Sequence, residues 1–193
     1  MRVVAGKFKG MRLLEFKGED IRPTSDYAKE SLFNILKDKV IGATFLDLFA
    51  GTGNMGIEAL SRGAEEVVFV DKSKKSIELI KKNLEKVKAT AEVKNTDSLS
   101  YLSLTDKKFD IIFIDPPYKS NLGFLALDLI KEKDLLTEDG VAIFENEDKK
   151  EVEGLIKVDE RKYGRAILTF FKKERVWKLV CLLGLLTHLL RGI

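Results

Sequence analysis

The chain has 193 residues, a single cysteine (Cys181) and a single histidine (His188), and its 34 Lys and Arg stand against 31 Asp and Glu for a formal net charge of +3. One cysteine excludes an intramolecular disulfide and a cysteine-built zinc or iron–sulfur site, so the expected setting is a reducing cytoplasm and the expected chemistry metal-free. The length suits one domain with a small appendage, and a net charge of +3 is too small to argue for a nucleic-acid partner by itself.

In chain order, Arg2 to Ala5 and Met11 to Glu15 are short strand-like runs, and Gly6 and Gly10 flank the turn between them, which predicts a hairpin. Residues 1–17 hold Arg2, Lys7, Lys9, Arg12 and Lys17 against Glu15 alone. That local surplus suits a phosphate-facing appendage, with Phe8 available to a base face, although a merely solvated basic strand pair would look the same. The basic, interrupted start predicts no signal peptide. A polar loop through Arg22-Pro23-Thr24 follows, and Ser25 or Asp26 can cap a helix running to Lys39, with Tyr27, Leu32, Phe33, Ile35 and Leu36 as its apolar face.

Phe45 to Phe49 is apolar except for Asp47 and reads as a strand buried on both faces. A Gly-rich turn, Gly51-Thr-Gly53, leads into a helix over 55–61 that stops at Gly63. Then come a strand over 66–70 ending on Asp71, a helix over 74–86, and a strand over 91–94 closed by Asn95, Thr96 and Asp97. A short helix or turn covers 98–104, and an almost wholly apolar strand over 109–114 ends in Asp115-Pro116-Pro117-Tyr118. A helix over 122–131, a strand over 141–145 after a turn at Asp139-Gly140, a weak helix over 149–155, and two strands, 156–162 and 166–172, joined at Tyr163-Gly164, complete the pattern. Buried strands alternating with helices predict a parallel, doubly wound α/β sheet with an antiparallel closing pair. The predicted organisation is an N-terminal hairpin and loop over 1–25, a main domain over 26–174, and an apolar tail over 175–193. The tail is too interrupted for a confident membrane span. It reads as a non-native extension, because the strand over 166–172 already completes a fold; a helix packed on the core or on a second subunit is the alternative.

Gly51 to Gly56 satisfies G-x-G-x-x-G, which by itself also describes dinucleotide-binding enzymes. Asp71, 20 residues after Gly51, can accept both hydroxyls of a ribose in either case. Two features separate the ligands. Asp47 lies inside the first strand, where a carboxylate is costly to bury unless something cationic or hydrogen-bonding uses it. The ammonium and sulfonium of S-adenosylmethionine suit it, whereas a pyrophosphate would be repelled. Asp115 to Tyr118 ends the fourth strand, where open α/β sheets place their ligand crevice. The lone pair of a nucleobase amine is delocalised into the ring. A carboxylate and a carbonyl that accept its two N–H bonds localise that lone pair and take the proton as charge develops. Prolines aim these acceptors in advance, and Tyr118 can stack on a base drawn out of its own stack. Asp97 can bond the adenine amine of the cofactor, cap the helix over 98–104, or do both.

These stretches resemble the bacterial 16S rRNA guanine-N2 methyltransferases of the RsmD type. The resemblance rests on Arg2-Val-Val-Ala-Gly6, Arg22-Pro-Thr24, Glu30-Ser-Leu-Phe-Asn34, Leu46 to Gly53, Gly56-Ile-Glu-Ala-Leu-Ser-Arg-Gly-Ala64, Asp115 to Tyr118 and Tyr163-Gly164. It covers residues 1 to about 172 and leaves out the tail. It implies a seven-stranded class I S-adenosylmethionine-dependent methyltransferase fold with an N-terminal hairpin that grips RNA. It further implies methylation of one guanine N2 of 16S rRNA, in an assembled or partly assembled 30S particle. By position, Asp47, Gly51, Gly53, Asp71 and Asp97 would line the cofactor, and Asp115, Pro116 and Tyr118 would hold the base. Arg2, Lys7, Lys9, Arg12 and Arg22 would contact RNA, with Arg22 and Thr24 near the catalytic pocket.

Three rivals follow from the same residues. A DNA adenine-N6 methyltransferase would use Asp-Pro-Pro-Tyr equally well, but no separate target-recognition domain is visible. A nicotinamide-dependent oxidoreductase would explain Gly51 to Gly56 and Asp71, but not Asp47 or Asp115 to Tyr118. A non-catalytic RNA-binding assembly factor would not need so complete a set of acids.

Overall fold

The computed structural model of the protein describes residues 1–16, 26–117, 120–146, 154–164 and 166–174. Seven strands form one sheet: β1 Thr44–Asp47, β2 Glu66–Asp71, β3 Glu92–Asn95, β4 Phe109–Ile114, β5 Leu136–Asn146, β6 Leu155–Tyr163 and β7 Ala166–Lys173, in the order β3-β2-β1-β4-β5-β7-β6. β1 to β5 run parallel, and β7 pairs antiparallel with both β5 and β6. The helices are α1 Asp26–Leu36, α2 Asn54–Ser61, α3 Lys74–Val87, α4 Ser98–Leu104 and α5 Leu122–Glu132. The winding reverses between β1 and β4, so the crevice of the sheet opens where Asp47 and Asp115 end those strands.

β1 is buried on both faces because side chains alternate along a strand. Phe45 joins one apolar core with Phe33, Phe69, Ile111 and Ile143, under α1, α2 and α3. Leu46 joins the other with Val68, Ile112 and Phe144, under α4 and α5.

Several elements differ from expectation, each for a physical reason. α1 ends at Leu36 because Lys37 takes φ 45°, and a short 3-10 turn carries the chain to Val40. Its buried stripe is Ala28, Lys29, Leu32, Phe33 and Leu36; Tyr27, assigned above to the apolar face, is 72% exposed. The spacing 28/29, 32/33, 36 is the helical stripe, and Tyr27 lies on the side of the helix away from it. β5 starts at Leu136, five residues early, since Leu136 pairs with Phe109 and a register shift bridges the expected turn before Val141 pairs with Ile111. The helix expected over 149–155 lies mostly outside the described residues, and Leu155 belongs to β6. The tail over 175–193 also lies outside them.

The N-terminal hairpin forms with one antiparallel bridge, Arg2 to Arg12, and main-chain bonds from Val3 N to Met11 O and Gly10 N to Val3 O. It is not a free appendage. Val3, Phe8 and Leu13 enter the first core, so Phe8, only 7% exposed, is not available to a base as expected. Its main chain docks on the end of α2: Lys7 N bonds Ser61 O at 2.7 Å, and Phe8 N bonds Ser61 Oγ at 2.9 Å. Gly6, at φ 80°, makes this possible, since a Cβ there would lie 1.9 Å from Ser61 O.

Gly56 is the third glycine of the loop motif, and its role is helix-to-sheet packing. A Cβ there would come within 2.2 Å of the Phe69 ring. Gly56→Ala is expected to destabilise the protein by about 1–3 kcal/mol through overpacking, read as a lower urea midpoint at unchanged slope.

Candidate active site

The glycine loop joins β1 to α2 through a turn closed by Gly53 N to Ala50 O at 2.7 Å. Among the described residues, nothing lies nearer to a hypothetical Cβ on Gly51 (φ 53°) than Phe49 O at 4.0 Å, so they leave space beside it for a ligand. Gly53 (φ 77°) instead faces Ile80 and Phe69, at 3.1 and 3.4 Å from such a Cβ. Its missing side chain thus serves the turn and the packing.

Asp47 is buried at the end of β1, and its Oδ2 accepts Gly56 N–H at 2.9 Å. Gly56 is the third residue of α2, and Gly53 at the N-cap offers no side chain, so Asp47 supplies the missing cap from the strand. The chain itself thus provides one hydrogen-bond partner for this carboxylate. Burial still pushes its pKa up to about 7, opposed by the Gly56 bond and reinforced by Asp71. Between about pH 4 and 7 the folded chain holds a proton that the unfolded chain has lost, so this group's contribution to stability declines as pH rises through that window. Asp47→Asn, whose amide oxygen can still accept Gly56 N–H, is expected to gain stability relative to the parent between pH 5 and pH 8. Paired urea titrations check this, and a difference that does not change with pH would refute it.

Asp71 ends β2 with Oδ2 accepting Gly51 N–H and Oδ1 accepting Ser73 N–H, both at 2.8 Å. These bonds aim the carboxylate while each oxygen keeps acceptor capacity. Asp97 caps α4, accepting from Leu99 and Ser100 N–H at 3.1 Å each. Ser98 fastens α4 to the site through Oγ to Leu48 O at 2.8 Å.

Asp115 follows β4 directly, and Pro117 O accepts Ser120 N–H and Oγ–H at 3.2 and 2.7 Å. The residue is half-buried with its carboxyl group desolvated. Burial holds that carboxyl well above the usual carboxylate range, and the carboxylates of Glu145 and Asp47 push it the same way. Register explains the grouping. Asp47 pairs with Phe113 and Phe69, and Asp115 and Asp71 lie two residues beyond those partners, hence on the same face. Glu145, at the end of β5, was not singled out from the sequence; only the β4–β5 register places it beside Asp115. Tyr118, Arg22 and Thr24 lie outside the described residues.

Arg2, Lys7, Lys9 and Arg12 are all exposed on the docked hairpin. The dock itself is charged and buried. Glu58, 0% exposed, accepts Val4 N–H at 2.8 Å and Ala5 N–H at 3.0 Å, and pairs with Arg62 Nε at 2.9 Å and Lys29 Nζ at 3.2 Å. Lys29 Nζ also donates to Arg2 O at 2.6 Å and to Asn54 Oδ1, at the start of α2 just after the glycine loop, at 2.7 Å. Asn83 adds a second clip, bonding both main-chain groups of Leu14 and Thr52 O. Sequence reading missed Lys29, Glu58 and Asn83 as site-supporting residues. The only prior signal was that Glu58 to Gly63 falls in a stretch of the family resemblance.

The sheet order, the antiparallel β7 and the acids at the carboxyl ends of β1, β2 and β4 define the class I S-adenosylmethionine-dependent methyltransferase fold. The chain belongs to the family described as Conserved hypothetical protein 95, which matches residues 1–172. It is 40% identical over 183 residues to YlbH of Bacillus subtilis (strain 168), covering 90% of this chain and 100% of that one. It is 38% identical over 152 residues to the Ribosomal RNA small subunit methyltransferase D of Haemophilus influenzae, covering 76% and 79%. The solved structure of Escherichia coli yhhF superposes with a TM-score of 0.83 at 29% identity, over 90% of this chain and 98% of that one. Membership bears out the RsmD-type resemblance. Among the described residues, no helix is long and apolar enough to cross a membrane, and no group of three or more His, Cys, Asp or Glu could hold a metal.

Proposed function

We propose that the protein transfers a methyl group from S-adenosylmethionine to the exocyclic N2 of a guanine in 16S rRNA, acting in the cytoplasm on an assembled or partly assembled 30S particle. The relative named Ribosomal RNA small subunit methyltransferase D supports the rRNA substrate. The single observation that carries the chemistry is the desolvated Asp115 carboxyl at the switch point, followed at once by two prolines.

The residues present fit the cofactor. Gly51 leaves room against the backbone, Asp71 offers oriented acceptors for a diol, Asp97 stands beyond β3, and Asp47 retains a proton affinity that a cation would relieve. S-adenosylmethionine, when bound, supplies an electrophilic methyl group on a sulfonium. The chain's own part is positioning and charge control. Asp115 and a neighbouring carbonyl accept the two N–H bonds of the amine. The high proton affinity of Asp115 suits it to take the proton as charge develops on nitrogen. The exposed Arg2, Lys7, Lys9 and Arg12, with Arg22, contact the phosphates.

Tritiated methyl transfer to unmethylated 30S particles, naked 16S rRNA and DNA, followed by nucleoside analysis, tests this. N2-methylguanosine from the RNA substrates is the expected product. N6-methyladenine from DNA would replace the reading with the DNA rival, and no transfer to any substrate would favour the non-catalytic assembly factor.

A further inference from the structure

Tyr27 exposes 72% of its surface in the first turn of α1, although an aromatic ring gains most by burying its faces. It meets the Tyr163 ring edge to face, with centroids 5.9 Å apart and planes at 76°. Tyr163 closes the β6–β7 turn opposite Ala166. Neither ring has a role in the site described above.

Their place in the sheet gives them one. Arg161 pairs with Leu168, and Leu168 pairs with Glu145. Tyr163 lies two residues beyond Arg161, so it faces the same side as Glu145 and Asp115, at the same carboxyl end of the sheet. Three strand spacings separate β4 from β6, about 14 Å in all. That is too far for the ring pair to touch the base held by Asp115, but it suits a neighbouring nucleotide of a splayed strand.

One exposed cation stands beside the pair. Arg2 bonds Asp26, the residue before Tyr27, at 3.3 Å, while its side chain stays 65% exposed. Its main chain is held from below by Lys29 Nζ. An exposed ion pair of this kind is readily exchanged for a phosphate. The open Tyr27 ring, braced by a Tyr163 that is partly buried against the core, with an anchored arginine alongside, makes a platform for an unpaired nucleotide, since every base offers a π-face.

Resting on the RNA reading above, we infer that Tyr27 and Tyr163 stack an unpaired nucleotide that flanks the target guanine, with Arg2 on its phosphate. The test uses unmethylated 30S particles for kinetics and a short single-stranded RNA carrying 2-aminopurine for binding. Tyr27→Ala is expected to raise KM for the particles about tenfold or more and to lose the fluorescence quench of the bound 2-aminopurine. Tyr27→Phe keeps the ring and recovers both. Tyr163→Ala weakens both in the same direction, and S-adenosylhomocysteine affinity by calorimetry is the same in all three variants. Unchanged KM and quench in both alanine variants would overturn the inference. So would a Tyr27→Phe variant as impaired as Tyr27→Ala, because stacking needs only the ring. Failure of the RNA reading shows separately, as a parent protein that methylates no RNA, and the quench still decides whether the rings stack a base.

Discussion

Asp115→Ala lowers methyl transfer by about 10²–10⁴-fold, the usual contribution of one positioned proton acceptor. Affinity for S-adenosylhomocysteine, measured by calorimetry, stays close to that of the parent. The expectation follows from the geometry. Asp115 sits past the end of β4, across the switch point from the glycine loop, and makes none of the bonds that brace that loop; those run from Asp47 to Gly56 and from Asp71 to Gly51. The carboxyl group is desolvated beside Glu145 and Asp47, which folding alone does not favour. Removing it is therefore expected to leave the urea midpoint equal or raised, and a fall in activity with no fall in stability separates a lost function from a lost fold. Asp115→Asn retains an oxygen that can accept an N–H but cannot take the proton, so its rate should lie between the two. The pH dependence has a defined sign. Protonated Asp115 cannot serve as the acceptor, so transfer falls as pH is lowered through a pKa above the usual carboxylate range. Full turnover in Asp115→Ala would end the proposed role.

Lys29→Ala carries the largest expected cost in stability, about 3–5 kcal/mol. The ammonium is wholly buried, and burial holds its pKa below the ordinary lysine value, with Glu58 opposing the shift. Its three partners tie the hairpin to one helix: the main chain of Arg2 in the hairpin, and Asn54 and Glu58 of α2. Without it, Glu58 remains at 0% exposure with Arg62 as its remaining cationic partner, and the Arg2 carbonyl loses its donor. Urea unfolding measures the loss. Hydrogen exchange should also show Val4 and Ala5 amides, which Glu58 accepts, losing protection before the strands of the sheet do. Combining Lys29→Met with Glu58→Gln should cost less than the sum of the single changes, since the two charges are coupled. A loss below about 1 kcal/mol for Lys29→Ala would show that the cluster is better solvated than its burial indicates.

Much of the architecture is determined by the sequence alone, and for a definite reason. A strand covered on both faces must be apolar at almost every position, so Phe45 to Phe49 and Phe109 to Ile114 declare themselves. Turns that need positive φ favour glycine, so Gly51, Gly53, Gly63 and Gly164 mark joints. The proposed chemistry at Asp115-Pro116-Pro117 is legible because a carboxylate at the end of an apolar strand has no packing role to explain it. The tertiary structure alone decided which partners meet. Lys29 reads as an ordinary solvated lysine until the Arg2 carbonyl and Glu58 close over it. Phe8 and Tyr27 exchange their expected environments because burial depends on what lies opposite, and hairpin docking covers one while the outer side of α1 leaves the other open. Glu145 joins Asp115 only through strand register, a relation between residues distant in the chain that no local pattern encodes.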